Sequence, residues 1–153
     1  MIVVDASLAL KWYFDETHSD EAGAWLVENE GDIVVPHVFL IEVLGALVRR
    51  ANIDKKLRRD SEISIARFVA LFDERLIRVA NTNPQQMAQA ANHALDLGHP
   101  LKDCIYLALA MELGCDLVTC DARFAARAKG VWNGVRVLGD RGSGGVHSLM
   151  HNA

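Results

Sequence analysis

Five short apolar runs, at 2–4, 32–35, 76–80, 117–119 and 135–138, are rich in Val, Ile and Leu and read as buried β-strands. Between them lie longer stretches whose apolar residues recur every three or four positions, as a helix with one buried face requires. These cover 19–30, 37–52, 61–74 and 85–97; the third repeats Ile63, Ala66, Ala70 and Leu71, and the fourth carries Met87, Ala90, Ala91 and Leu95. Gly98 supplies a helix stop, and Pro100 fits the first turn of a further helix running to about residue 113. Strands alternating with helices predict an α/β fold, a parallel sheet covered on both faces in three layers. At GDRGSGGVHSLMHNA the composition shifts to Gly and Ser without periodicity. One domain over residues 1–139 is therefore expected, followed by a flexible C-terminal tail over 140–153.

A chain of 153 residues that is 51% hydrophobic suits a single core. No apolar run approaches the roughly 18 residues of a membrane span, and the opening MIVVDAS lacks a basic leader, so a cytoplasmic protein without membrane contact is expected. Cys104, Cys115 and Cys120 are odd in number and have no histidines at zinc-ligand spacing, which argues against a disulfide framework or a zinc site. The net charge of -4 excludes wholesale coating of nucleic acid but leaves room for a local basic patch.

That patch is RRANIDKKLRR at 49–59, in which Arg49, Arg50, Lys55 and Lys56 are candidate RNA-phosphate contacts. Arg49 follows Glu42 by seven residues, about two helical turns or roughly 10 Å along the same face. The competing reading is a solvated face between two helices.

In an open parallel sheet, ligands sit beyond the carboxyl ends of the strands. Asp5 follows the first strand directly and Asp121 follows the fourth after one intervening residue. Each also has a reading as N-cap of the next helix, as do Ser7 and Thr119. Glu42 interrupts Val38, Phe39, Leu40, Ile41, Val43 and Leu44, and no Lys or Arg stands one turn away from it. A carboxylate in so apolar a helix requires a distant partner or a metal. Asp103 opens the apolar helix of Cys104, Ile105 and Leu107, where the helix dipole also favours an acid.

Taken together, Asp5, Glu42, Asp103 and Asp121 are lone carboxylates bordering apolar segments. Clustered carboxylates raise one another's pKa unless a cation neutralises them, and an all-oxygen donor set suits a hard divalent ion, Mg2+ or Mn2+. The chemistry expected of such a site is phosphodiester hydrolysis by activated water.

DASLALKW at 5–12, PHVFLIEVLGAL at 36–47, HPLKDCIYLALAMELG at 99–114 and LVTCDARF at 117–124 resemble, in order and spacing, the motifs of PIN-domain ribonucleases. Within that family the chain is most similar to the VapC toxins of toxin–antitoxin pairs. The resemblance implies a three-layer fold with a five-stranded parallel sheet and magnesium-dependent endoribonuclease activity. It places Asp5, Glu42, Asp103 and Asp121 in the family's acidic quartet as catalytic and metal residues, with Ser7 and Thr119 as supporting hydroxyls. Cys120 stands where the family often has Arg or Lys.

The partners implied are an RNA substrate and a cognate antitoxin, with a homodimer expected and no sequence-specific DNA contact by this chain. Leu8, Ala9, Trp12, Tyr13 and Phe14, with the apolar excess of the Glu42 helix, are candidates for a dimer face or an antitoxin groove. The histidines are scattered, and none receives a catalytic role. An alternative is a PIN-like binding module acting mainly as co-repressor with a DNA-binding antitoxin. A phosphoacceptor receiver domain fits poorly, because Asn81, Thr82 and Asn83 follow the third strand where an aspartate would be needed.

Overall fold

The computed structural model describes residues 1–139. The tail expected over 140–153 lies outside the described residues. Five strands, β1 (Ile2–Val4), β2 (Ile33–Pro36), β3 (Ile77–Ala80), β4 (Asp116–Thr119) and β5 (Val135–Val137), form one parallel sheet in the order β3-β2-β1-β4-β5. The helices are α1 (Ala6–Ala9), α2 (Ser19–Asn29), α3 (Val38–Ile53), α4 (Arg58–Asp73), α5 (Pro84–Leu97), α6 (Leu101–Leu113) and α7 (Ala122–Ala128). Short 3-10 turns at Leu10–Trp12 and Lys55–Leu57 extend α1 and join α3 to α4.

Helices cover both faces of the sheet, giving the three-layer α/β/α architecture expected. All four residues of β2 are buried, which is why this strand reads as an unbroken apolar run. Helix α6 packs on β1, β2 and β4 and pairs with α5, whereas α3 packs on β2 and pairs with α4 over β3. Phe39, Phe68 and Phe72 form an aromatic cluster inside the α3–α4 layer, with Phe72 edge-to-face to both others, and Tyr13 joins it through Phe68.

The sequence-based boundaries hold to a residue or so, with two exceptions. Helix α4 begins at Arg58 rather than 61, because Arg58 and Arg59 pair with Glu62 on the exposed side of the first turn. The first helix is one α-turn and a 3-10 turn, and Trp12 folds inward to donate its indole N–H to the Ala22 carbonyl at 3.0 Å. Tyr13 is likewise committed to the aromatic cluster. Much of the apolar surface that a partner was expected to cover is thus used internally. What stays exposed is Ile41, Val48 and Ile53 on α3.

Sheet order fixes where a site belongs. The chain moves outward from β1 to β2 and β3, then returns to the other side of β1 for β4 and β5. The crevice between β1 and β4, beyond their carboxyl ends, is the topological switch point of such a sheet. Helix α3 follows β2 and so starts at that edge, and α6 precedes β4 and so must also start there. Both therefore present positive dipole ends to the crevice.

Candidate active site

Parallel pairing sets Val4 opposite Val118, and the ladder continues from the Asp5 N–H to the Val118 carbonyl at 3.3 Å. Asp5 thus emerges level with Thr119. Its Oδ1 accepts from the Ser7 hydroxyl at 2.6 Å and from the Leu8 amide at 3.3 Å, and its Oδ2 accepts from the Thr119 hydroxyl. The Thr119 oxygen also accepts from the Asp121 amide at 3.0 Å, and the Ser7 oxygen from the Cys120 amide at 3.0 Å. Both hydroxyls expected to support the site therefore stitch β1 to β4 through Asp5. A carboxylate offers about four lone-pair positions, and three hydrogen bonds leave one for a further ligand.

Asp5 and Asp121 are both N-caps: Leu8 donates to the first and Phe124, at 3.0 Å, to the second. Each carboxylate spends one oxygen on the cap, so capping and ligation are compatible. Asp103 lies in the first turn of α6, and Pro100 stands just outside that helix as its cap residue. Asp103 Oδ2 meets His99 Nε2 at 2.7 Å. Ligand atoms of His99, Asp103 and Asp121 all lie within 4.8 Å of one another.

Glu42 faces the same region from α3. Its Oε1 accepts from the Tyr106 hydroxyl at 3.1 Å, across 64 residues of sequence. This is the distant partner that an apolar helix demanded, and it is a neutral donor rather than a cation. Among the described residues no Lys or Arg forms an ion pair with Asp5, Glu42, Asp103 or Asp121.

Electrostatics tie the acids together. Burial pushes the Asp5 carboxyl up to about 6; the Ser7, Thr119 and Leu8 hydrogen bonds oppose the rise and the Asp103 charge adds to it. Burial also raises Glu42, against the pull of Lys102 and the Tyr106 hydroxyl, and again Asp103 adds to the rise. Tyr106 is held in its neutral form first by burial and then by the charges of Glu42, Asp5 and Asp103. Asp103 is thus the hub, coupled by charge to Asp5 and Glu42 and by proximity to Asp121. Cys120, in the position often basic in the family, is pushed up to about 11 by burial and by the Asp5 charge, so it adds no cation and no thiolate.

Beside Glu42 runs an open cleft of about 750 Å³ with Ile41, Gly45, Arg49, Arg50 and Lys102 on its walls. Arg49 is free in it, as the two-turn spacing from Glu42 predicts. Arg50 is anchored, its guanidinium 5.0 Å from the Phe14 ring centroid and Nη1 3.5 Å from the Tyr13 carbonyl. Lys55 and Lys56 are exposed outside this cleft, Lys55 lining a separate groove with Val48, Asn52 and Arg58. A polar groove of Asn83, Gln89 and Asn92 between α5 and α6 holds none of the four acids.

Three residues of the site escaped sequence reasoning. Lys102 and Tyr106 received no assignment, since a lysine at a helix start and a tyrosine in an apolar run carry no signal of their own. His99 was set aside with the other histidines, although its place four residues before Asp103 at a helix start was a usable signal.

The family model described as PIN domain matches residues 2–130. No curated protein matches significantly. Among solved structures, PAE2754 from Pyrobaculum aerophilum superposes with a TM-score of 0.67 at 21% identity, covering 90% of this chain and 88% of that one. The Mycobacterium tuberculosis toxin VapC20, described as cleaving the sarcin–ricin loop, gives 0.63 at 18% identity, covering 82% and 94%. A toxin–antitoxin complex from Klebsiella pneumoniae gives 0.62 at 15% identity, covering 89% and 96%. At these identities the structural likeness is one of fold.

Proposed function

This chain belongs to the PIN-domain family, and on that footing we propose that it is a magnesium-dependent endoribonuclease, the toxin of a toxin–antitoxin pair. The observation that carries the reading is the convergence on Asp103: one carboxylate raises the proton affinity of Asp5 and Glu42 and lies beside Asp121, with no Lys or Arg among the described residues in ion-pair contact with any of the four. Such a donor set is short of positive charge and made of hard oxygen, which fits Mg2+ or Mn2+. Asp5 and Asp103 would hold the ion directly, Glu42 directly or through water, and Asp121 would complete the set. When bound, the cation supplies charge neutralisation at the scissile phosphate and lowers the proton affinity of the attacking water.

The rest falls to the chain's own groups. Ser7 and Thr119 fix both oxygens of Asp5, so the carboxylate keeps one orientation before substrate arrives. Tyr106 holds Glu42 Oε1 and leaves Oε2 for the cleft. Arg49 and Lys102 provide the positive charge along which an RNA backbone would lie. Fold neighbours described as a sarcin–ricin loop cleaving toxin and as a toxin–antitoxin complex support both the substrate class and a cognate antitoxin as partner. The exposed Ile41, Val48 and Ile53 offer an apolar face for a homodimer or for that antitoxin. Among the described residues no helix is long and apolar enough to cross a membrane, and a cytoplasmic site of action follows from the substrate proposed.

The deciding assay incubates purified protein with structured RNAs in Mg2+, and in parallel with EDTA. Cleavage confined to the Mg2+ arm is expected; equal cleavage in both arms would sink the metal-dependent reading. A second prediction concerns the cleft. Arg49→Gln should raise KM about tenfold with little change in kcat, and should flatten the log–log salt dependence by about one unit of slope. An unchanged slope would remove Arg49 from the RNA path.

A further inference from the structure

His99 is bracketed on every side. Its side chain is only 7% exposed, and its ring stacks on Phe124 with centroids 4.8 Å apart and planes 30° from parallel. Nε2 lies 2.7 Å from Asp103 Oδ2, and Nδ1 lies 3.3 Å from Arg127 Nη1. Arg127 is itself fixed, its Nη1 donating to the Gly98 carbonyl at 2.8 Å. Gly98 caps α5 in the left-handed region, φ 60°, and so turns the chain directly into His99.

A guanidinium has donors only. With Arg127 facing Nδ1, the hydrogen-bond network assigns Nδ1 as the acceptor and Nε2 as the nitrogen that donates to Asp103. That arrangement has two consequences. The lone pair that would make His99 a metal ligand is withdrawn, although the nitrogen stands among the carboxylates. One oxygen of Asp103 is tied to a rigid, stacked ring, so the other is presented to the cluster.

We propose that His99 is a positioning residue: through Nε2–H it orients Asp103 for a divalent cation, with Arg127 selecting the tautomer and Phe124 fixing the ring plane. The inference rests on the reading that Asp103 holds the metal. It inverts the familiar order in which a carboxylate orients a ligating histidine, and it keeps the donor set all-oxygen, favouring Mg2+ and Mn2+ over zinc. Phe124, Arg127 and the cap of Asp121 all belong to α7, so one short helix orders the ligands contributed by α6 and by the end of β4.

The test measures Mn2+ binding by electron paramagnetic resonance in wild type, His99→Phe and His99→Gln. Phenylalanine keeps the stack and loses the donor; glutamine keeps a donor near the Nε2 position. We expect the dissociation constant to rise about tenfold or more in His99→Phe, in line with losses seen when an outer-shell partner is removed, and to stay within about threefold in His99→Gln. Equal binding by wild type and His99→Phe would overturn the positioning role while leaving the metal site standing. Absence of Mn2+ binding by wild type itself would remove the metal site and this inference together. Long-range 1H–15N spectra of the Mg2+-loaded wild type need no variant to fold. They should show His99 protonated on Nε2, and a proton on Nδ1 with a bare Nε2 would mark a ligand and overturn the proposal.

Discussion

Asp5→Asn should lower RNA cleavage by about a thousandfold, some 4 kcal/mol of transition-state stabilisation, without loss of the fold. The substitution preserves volume and one acceptor, and the Ser7 and Thr119 hydroxyls can reorient toward an amide. What disappears is the negative charge at the point where β1 and β4 meet the crevice. Single-turnover cleavage in Mg2+ measures the loss, and near-ultraviolet circular dichroism verifies the packing. Activity within tenfold of wild type in a folded variant would mean that Asp5 only caps α1.

The second large effect is on stability without metal. The rise of Asp5 from an ordinary 3.8 to about 6 means that the folded state holds this proton more tightly than the unfolded chain does. Well below the ordinary 3.8 both states are protonated, and burial costs nothing through this group. Between there and about 6 the unfolded carboxyl ionises while the folded one keeps its proton, so stability falls by about 3 kcal/mol and levels off once the folded carboxyl ionises too. Urea unfolding in EDTA at a series of pH values should therefore show Asp5→Asn gaining about that much on wild type between pH 4 and pH 7. A difference that does not change with pH would mean that the three hydrogen bonds already offset the burial. Glu42, raised in the same direction, adds to the wild-type slope in both proteins and cancels from the difference. The carboxylate proposed to hold the metal is thus one that the fold, without a cation, accommodates at a cost.

The architecture was largely legible because each strand is a short β-branched run and each helix keeps its period. The four acids were legible for a related reason: a carboxylate that interrupts or ends an apolar run stands out against its surroundings. Residues whose types suit the core or surface equally well were not legible. Tyr106 sits among Ile105, Leu107 and Leu109 and reads as packing; only the fold shows its hydroxyl reaching Glu42. The basic stretch at 49–59 was visible as charge, but the direction of each side chain depends on where α3 ends. Arg49 therefore enters the cleft, whereas Lys55, past the helix end, faces another groove.

The stitch between β1 and β4 joins Ser7 and Thr119, side chains 112 residues apart in the chain. Contacts so distant in sequence form late, and during synthesis they cannot form at all until β4 has left the ribosome. At roughly 5–20 residues per second, that interval lasts on the order of 6–20 s after β1 appears. While the chain is being made, Asp5 and Thr119 are therefore still apart, and the crevice between β1 and β4 is among the last features of the domain to exist.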